Sequence, residues 1–310
     1  MERCMLRGPL VSNRTSTCER HMTEIMSLPI GDWNPRCSTA ELDCAIRALE
    51  HGCILLLPHL SFPLEPTERP LLSPTFAGQR KNISFDGGRL QGAEAPEAEM
   101  NVLRNMMSRF ATHSAALLRH LLPRYADGLQ QGRVSYRPVE IAGRSSSWRK
   151  DDTRLHVDSF PSSPVQGRRI LRVFSNVNPH GQCRRWRLGE SFEVVASRYL
   201  DSLPNPIWGS SHVLNLLGIT KSRRTPYDHF MLQLHDRMKA DPVYQSQAEQ
   251  SLYDMPAGAT WIVYTDQVSH AAMAGQYAFE QTYSVPVDRM LDPSLSPLRV
   301  LERLLGRELT

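Results

Sequence analysis

The spacing of apolar residues changes part-way along the chain, from helical before about residue 134 to strand-like after it. Thr39–Glu50 (TAELDCAIRALE) sets Leu42, Ala45, Ile46 and Leu49 at helical spacing. Ser38 or Thr39 can cap this helix, with Glu41 near the third position of a capping box. The run CILLLPHL follows Gly52, is broken by Pro58, and reads as a buried strand. Residues 62–97 are rich in Pro, Gly and Ser and are expected to form a long loop. Residues 97–131 read as mostly helical, with Val102, Met106, Phe110 and Ala111 on one side, interrupted or ended by Pro123.

From Val134 onward short β-prone runs alternate with turns: RVSYRPVEIAG, RLHVDSF, RRILRVFSNVNP, ATWIVYTD and QYAFEQTYSVPV. Such a series suggests a sandwich or barrel. A helix-rich stretch at about 189–252 interrupts it, and LSPLRVLERLLGREL closes the chain as an amphipathic helix. The expected fold is β-rich α+β: one core domain over 36–310, an N-terminal helical layer, a helical insert and a C-terminal helix. Residues 1–35 are expected to be a disordered segment, or translation starts at a later Met.

Composition narrows the class. With 41% apolar and 22% charged residues, the 310-residue chain is ordinary globular protein with material for a sizeable core. The net charge of +4 suits an acidic ligand or an anionic membrane surface without demanding either. No nucleic-acid partner is expected. Six cysteines without a C-x-x-C pair read as free thiols in a reducing cytoplasm. No apolar run approaches the roughly 18–20 residues of a membrane span, and the N-terminus lacks the apolar stretch of a secretory signal.

The candidate chemistry is a metal site. His156 and Asp158 in RLHVDSF share one face if that run is a strand, and His270 follows the core run TWIVYTD. Two imidazoles and one carboxylate are the facial set that binds Fe(II) and leaves positions open. In a jelly roll the first and seventh strands are neighbours, which brings a distant His to this pair. A lone H-x-D arises readily by chance among 11 His. The alternative is a surface His–Asp couple and a satisfied core His270. His229 and His235, on the insert helix, read as surface or packing residues, and His180 and His212 as loop residues without a partner at ligand spacing.

The string HVDSFPSSP…RILRVFSNVNP, with SHAAMAGQYAFEQTYSVP downstream, resembles the Fe(II)/2-oxoglutarate-dependent dioxygenases, and more narrowly the bacterial Kdo hydroxylases. The resemblance runs from about residue 30 to the end. It implies a double-stranded β-helix (jelly-roll) core in which His156, Asp158 and His270 hold Fe(II). It also implies 2-oxoglutarate and dioxygen as co-substrates and succinate as co-product. The expected reaction hydroxylates carbon three of the Kdo sugar in the lipopolysaccharide inner core (Kdo-lipid A), giving Ko. Two rivals stand beside it: a dioxygenase of the same fold acting on another anionic substrate, and a non-catalytic jelly-roll module that binds anionic glycolipid.

The superfamily usually places a basic residue shortly after the distal His to hold the far carboxylate of 2-oxoglutarate. Here Phe279–Val285 holds none. Alternation in RRILRVFSNVNP puts Arg172 on the face of Phe174, Asn176 and Asn178. Arg172 is the expected anchor, assisted by Asn176 and Gln281, unless it faces solvent or forms a structural ion pair. Arg289 is a weaker candidate.

Basic residues, with two tryptophans among them, cluster near the expected mouth: Arg144, Trp148, Arg149, Lys150 and Arg154 before the first strand, and Arg184, Arg185, Trp186 and Arg187 after the second. Lys221, Arg223 and Arg224 add a third group. Arg144, Trp148, Lys150, Arg154, Arg184 and Arg185 are the expected substrate contacts, with solvated loop charges as the plain alternative. A lipid-linked substrate needs access to the inner leaflet. The insert helix (Phe230, Met231, Leu234, Met238) and the C-terminal helix are amphipathic enough for an interface, or for packing on the core. The expected location is cytoplasmic, peripheral at the inner membrane.

Overall fold

The computed structural model describes residues 22–310 apart from Gln79. Eleven strands form among them: β1 (Ile25–Ser27), β2 (Ile54–Leu57), β3 (Ile83–Asp86), β4 (Arg89–Gln91), β5 (Gln130–Arg137), β6 (Arg169–Asn176), β7 (Arg184–Leu188), β8 (Ser251–Met255), β9 (Thr260–Tyr264), β10 (His270–Ala274) and β11 (Ala278–Val285). They make an eight-stranded sheet in the order β1-β2-β9-β6-β11-β5-β3-β4 and a three-stranded sheet in the order β10-β7-β8. The two stack as a jelly roll.

Side-chain alternation decides which residues meet between the sheets. On β6, Leu171 and Val173 face outward with Ile262, Tyr264, Phe279 and Tyr283, under the N-terminal helices. Phe174, Trp261 and Val263 face inward and meet Trp186 and Leu188 of the small sheet. Both faces of β6 are covered, so all eight of its residues are buried. Phe174 stacks on Trp261 at 5.2 Å, and Trp186 meets both rings edge-on.

Helix α1 (Thr39–Glu50) is capped by Ser38 with the full Ser38–Glu41 capping box. Helix α2 (Glu97–Leu121) covers the outer face and stops two residues before Pro123, so the helix expected as far as 131 gives way to a 3-10 turn and β5. The expected loop 62–97 contains the β3–β4 hairpin. Asp86 pairs with Arg89 across Gly87-Gly88, and both glycines have positive φ, as a tight primed turn requires. Of the segment 1–35 expected to be disordered, residues 1–21 lie outside the described residues. From Met22 it is replaced by structure: β1 pairs with β2, and Trp33 packs edge-on against Phe62 and Phe110.

The insert carries α3 (Phe192–Tyr199), α4 (Ser210–Leu216), α5 (Pro226–Ala240) and α6 (Pro242–Gln247), and α7 (Pro297–Leu305) ends the fold. Phe230, Met231, Leu234 and Met238 of α5 are buried with Leu298, Val300 and Leu301 of α7 in one cluster. The faces expected at a membrane interface therefore form the insert's own core. No helix among the described residues is long and apolar enough to cross a membrane.

Candidate metal centre

RLHVDSF does not form the expected strand. It makes one antiparallel bridge, His156 to His270. The His156 amide donates to the His270 carbonyl at 3.0 Å, the His270 amide donates back at 2.9 Å, and the Asp158 amide donates to the Thr265 carbonyl at 2.7 Å. Val157 points the other way, into the insert cluster. The outcome is nevertheless the one alternation predicts: ligand atoms of His156, Asp158 and His270 all lie within 4.8 Å of one another.

The surroundings fix how these groups point. His156 Nδ1 is 2.7 Å from the Arg154 carbonyl, and His270 Nδ1 is 2.8 Å from the Val268 carbonyl. A carbonyl only accepts, so each Nδ1 carries the proton and each Nε2 keeps its lone pair for a metal. Burial, and then the neighbouring His270, hold the His156 pKa well below its ordinary value. Burial likewise lowers that of His270. Both rings are therefore neutral, the form that binds metal. Trp186 stacks on the His270 ring at 5.2 Å. Burial pushes the Asp158 carboxyl up, but the Arg172 guanidinium outweighs it, so it titrates well below the usual carboxylate range. The donor set fits a divalent iron.

These residues line a cavity of about 270 Å³. Arg172 Nη2 lies 2.9 Å from Asp158 Oδ2, a charge contact rather than an aligned hydrogen bond. Its Nη1 donates to Glu280 Oε1 at 2.8 Å, and Arg137 holds the other Glu280 oxygen at 2.5 Å. Two further cations in the cavity wall are buried and touch no carboxylate. Arg184, 2% exposed, donates from Nη1 to the Gly275 carbonyl at 3.3 Å and leaves Nε without a partner. Burial and then the charge of Arg137 pull its pKa down to about 10. Lys239, also 2% exposed, donates from α5 to the Arg149 carbonyl at 3.0 Å. Burial is the main cause lowering its pKa.

The comparisons with known proteins agree with this geometry. Residues 32–308 match the family model described as 3-deoxy-D-manno-oct-2-ulosonic acid (Kdo) hydroxylase. The chain belongs to the Kdo hydroxylase family. It is similar to the solved Kdo hydroxylase KdoO, a non-heme Fe(II) alphaketoglutarate-dependent dioxygenase, in complex with alphaketoglutarate and Fe(III). The two share 45% identity at a TM-score of 0.90, over 93% of this chain and 97% of that one. The cobalt(II) complex of KdoO gives 46% identity and a TM-score of 0.89, over 92% and 97%. No curated protein matches.

In this Kdo hydroxylase family member, the other expected site residues divide. Arg172, Lys150 and Arg184 line the cavity, with Arg149 and Trp186. Arg144 stands behind it and binds Asp152 at 2.8 Å. Trp148 lies under Arg149, and Arg154 donates to the Lys239 carbonyl. Arg185 projects from the opposite face of β7 and pairs with Asp254 at 2.8 Å. Arg289 is exposed on a turn. Asn176 shares the face of Arg172, but its amide is spent on the Gln182 and Met255 carbonyls. Gln281 points away from the cavity and donates to the Gly132 and Thr282 carbonyls. Phe279 and Tyr283, two positions either side of it, face α2, so Gln281 does too and Glu280 takes the cavity face.

The residues missed were Lys81, Arg137, Asp152, His235, Lys239 and Glu280, all in the cavity wall. Glu280 was legible from that alternation. His235, expected as a surface or packing residue, meets the His156 ring edge-on at 5.3 Å. Lys239 and His235 reach the cavity through the packing of α5, which no local pattern reports.

Proposed function

We propose that this protein is an Fe(II)/2-oxoglutarate-dependent hydroxylase acting on carbon three of Kdo in Kdo-lipid A, a step of lipopolysaccharide biosynthesis at the cytoplasmic face of the inner membrane. One observation carries the reading: three oriented metal donors share a cavity with two buried cations that lack carboxylate partners. His156, Asp158 and His270 hold the iron. When bound, iron with 2-oxoglutarate and dioxygen supplies the oxidising power for hydroxylation.

The chain's own residues supply position and charge. The two carbonyl-bound imidazoles need no reorientation to accept the metal. Arg172, fixed by Glu280 and Arg137, holds the Asp158 carboxylate in place. We place the anchoring role, expected of Arg172 with Asn176 and Gln281, at Arg184, whose guanidinium is free of carboxylates and lies between the sheets. A guanidinium takes a carboxylate in a forked pair. Trp186, beside it on the same face of β7, closes that end against water. Lys239, reaching the cavity from the insert helix, receives the carboxylate of the Kdo sugar, with Lys81 and Lys150 adding positive charge. Buried anions need such partners.

The test is turnover with Kdo-lipid A, Fe(II) and 2-oxoglutarate, read as succinate and as one added oxygen on Kdo by mass spectrometry. Succinate without oxygenated Kdo would favour a same-fold dioxygenase with another anionic substrate. No iron-dependent succinate would leave a glycolipid-binding module.

A further inference from the structure

Among the described residues nine large apolar side chains are exposed, and six of them fall between Ile207 and Ile219. Trp208 is 98% exposed and Leu216 is 87% exposed. Helix α4 in this stretch has no buried residue at all. A contiguous apolar patch of this kind marks an interaction surface. Its charge is one-sided: between Asp201 and Asp228 there is no acidic residue, while Lys221, Arg223 and Arg224 follow the patch directly. Arg223 and Arg224 also line a groove of about 970 Å³ behind Trp208.

The patch is tied to the catalytic cavity. The Lys221 amide donates to the Ser162 carbonyl at 2.9 Å, and the Arg224 guanidinium donates to the Pro161 carbonyl. Pro161 lines the metal cavity three residues after Asp158. The apolar tip and the cavity therefore share one short loop.

We propose that residues 206–224 dock on the anionic surface of a lipid bilayer. Ile207, Trp208, Leu216 and Leu217 enter the headgroup region, and Lys221, Arg223 and Arg224 pair with lipid phosphates. An exposed indole at a tip, apolar neighbours and a basic flank without acids match the chemistry of that surface. The combination of a fully exposed indole with the basic flank favours a lipid surface over a protein partner. The consequence for catalysis, a cavity held at the membrane where a lipid-linked sugar is presented, rests on the function proposed above; the docking does not.

The experiment is sedimentation of the full chain with phosphatidylcholine vesicles, with and without phosphatidylglycerol, in the absence of substrate. The wild type is expected to pellet with the anionic vesicles only. Trp208→Ser/Leu216→Ser and, separately, Arg223→Glu/Arg224→Glu are each expected to weaken that partition about tenfold, with unchanged circular dichroism. For the Trp208/Leu216 variant, turnover on a water-soluble Kdo glycoside is expected to stay at the wild-type level, while turnover on vesicle-embedded Kdo-lipid A falls. A wild type that stays in the supernatant with both vesicles overturns the proposal, as do variants that pellet like it. A wild-type dimer that becomes monomeric in the Trp208/Leu216 variant also overturns it, in favour of a second copy as the occupant. Vesicle binding that persists without oxygen added to Kdo-lipid A upholds the docking and sinks the enzymatic reading instead.

Discussion

His156 and His270 hold each other through their backbones, each amide donating to the other's carbonyl. In such an antiparallel pair the α-carbons sit about 5.5 Å apart with side chains on the same face. The main-chain pair thus fixes the two α-carbons and the Nδ1–carbonyl bonds fix the rings, whose centroids lie 4.7 Å apart. His270→Ala and Asp158→Ala are expected to fold with wild-type circular dichroism and to lose stoichiometric Fe(II). Retention of one iron per chain in either variant would remove the ligand assignment.

Arg172 and Arg184 should fail differently. Losing a charge-assisted bond costs about 1.5–3 kcal/mol, or about 10- to 100-fold in binding. Arg184→Gln should raise the KM for 2-oxoglutarate by that factor and leave iron affinity unchanged. Arg172→Gln should weaken iron first, because Asp158 loses the cation that holds its carboxylate. Equal effects of the two variants on both ligands would contradict the division of roles.

Gln245 of α6 pins the residue before His156 from both sides. Its Oε1 accepts the Leu155 amide at 2.8 Å and its Nε2 donates to the Leu155 carbonyl at 2.9 Å. It is a positioning residue for the first ligand. Loss of an outer-shell partner typically costs 10–100-fold in metal affinity. Gln245→Leu is expected to reduce Fe(II) affinity about tenfold, and Gln245→Glu to restore only the bond to the amide. Isothermal titration of iron into the three proteins checks this, and identical affinities would rule the role out.

Asp241 caps α6. It accepts the Val243 and Tyr244 amides at 2.9 and 3.1 Å and the Tyr199 hydroxyl at 2.9 Å. Burial pushes its carboxyl up, but these hydrogen bonds win and the net shift is downward. A depressed folded pKa means the contribution is complete above the unfolded value and is lost as pH falls through the folded one. Asp241→Ala should cost about 1 kcal/mol at neutral pH. The gap from wild type should narrow below about pH 4 in urea melts. A pH-independent gap would remove the charged cap as its cause.

The β core was legible because β6, β9 and β11 are short β-prone runs between clear turns, and because parity on β6 separates Arg172 and Phe174 from Leu171 and Val173. Parity also separates Gln281, an expected site residue, from the cavity, because Phe279 and Tyr283 bracket it on the helix-covered face. The β3–β4 hairpin was hidden in a Pro- and Gly-rich stretch, where composition outweighed the Gly87-Gly88 signal. RLHVDSF met the alternation test with one bridge instead of a ladder, since Asp158 answers to Thr265 and not to a strand partner. Lys239 and Gln245 come from insert helices, and tertiary packing alone brings them to the cavity.

Lys239 offers the sharpest test of substrate recognition. Its ammonium is buried, is bonded to one carbonyl and faces the cavity from the insert rather than from the sheets. A buried cation without a carboxylate is costly, and burial already lowers its pKa. An arriving sugar carboxylate offsets that cost, so the empty enzyme gives up stability for affinity. Lys239→Met, close in length and uncharged, should therefore fold at least as stably as wild type. Its KM for the Kdo substrate should rise about 10- to 100-fold while that for 2-oxoglutarate holds. Melting temperature and the two KM values, measured side by side, decide the matter. A rise confined to 2-oxoglutarate would exchange the roles of Lys239 and Arg184.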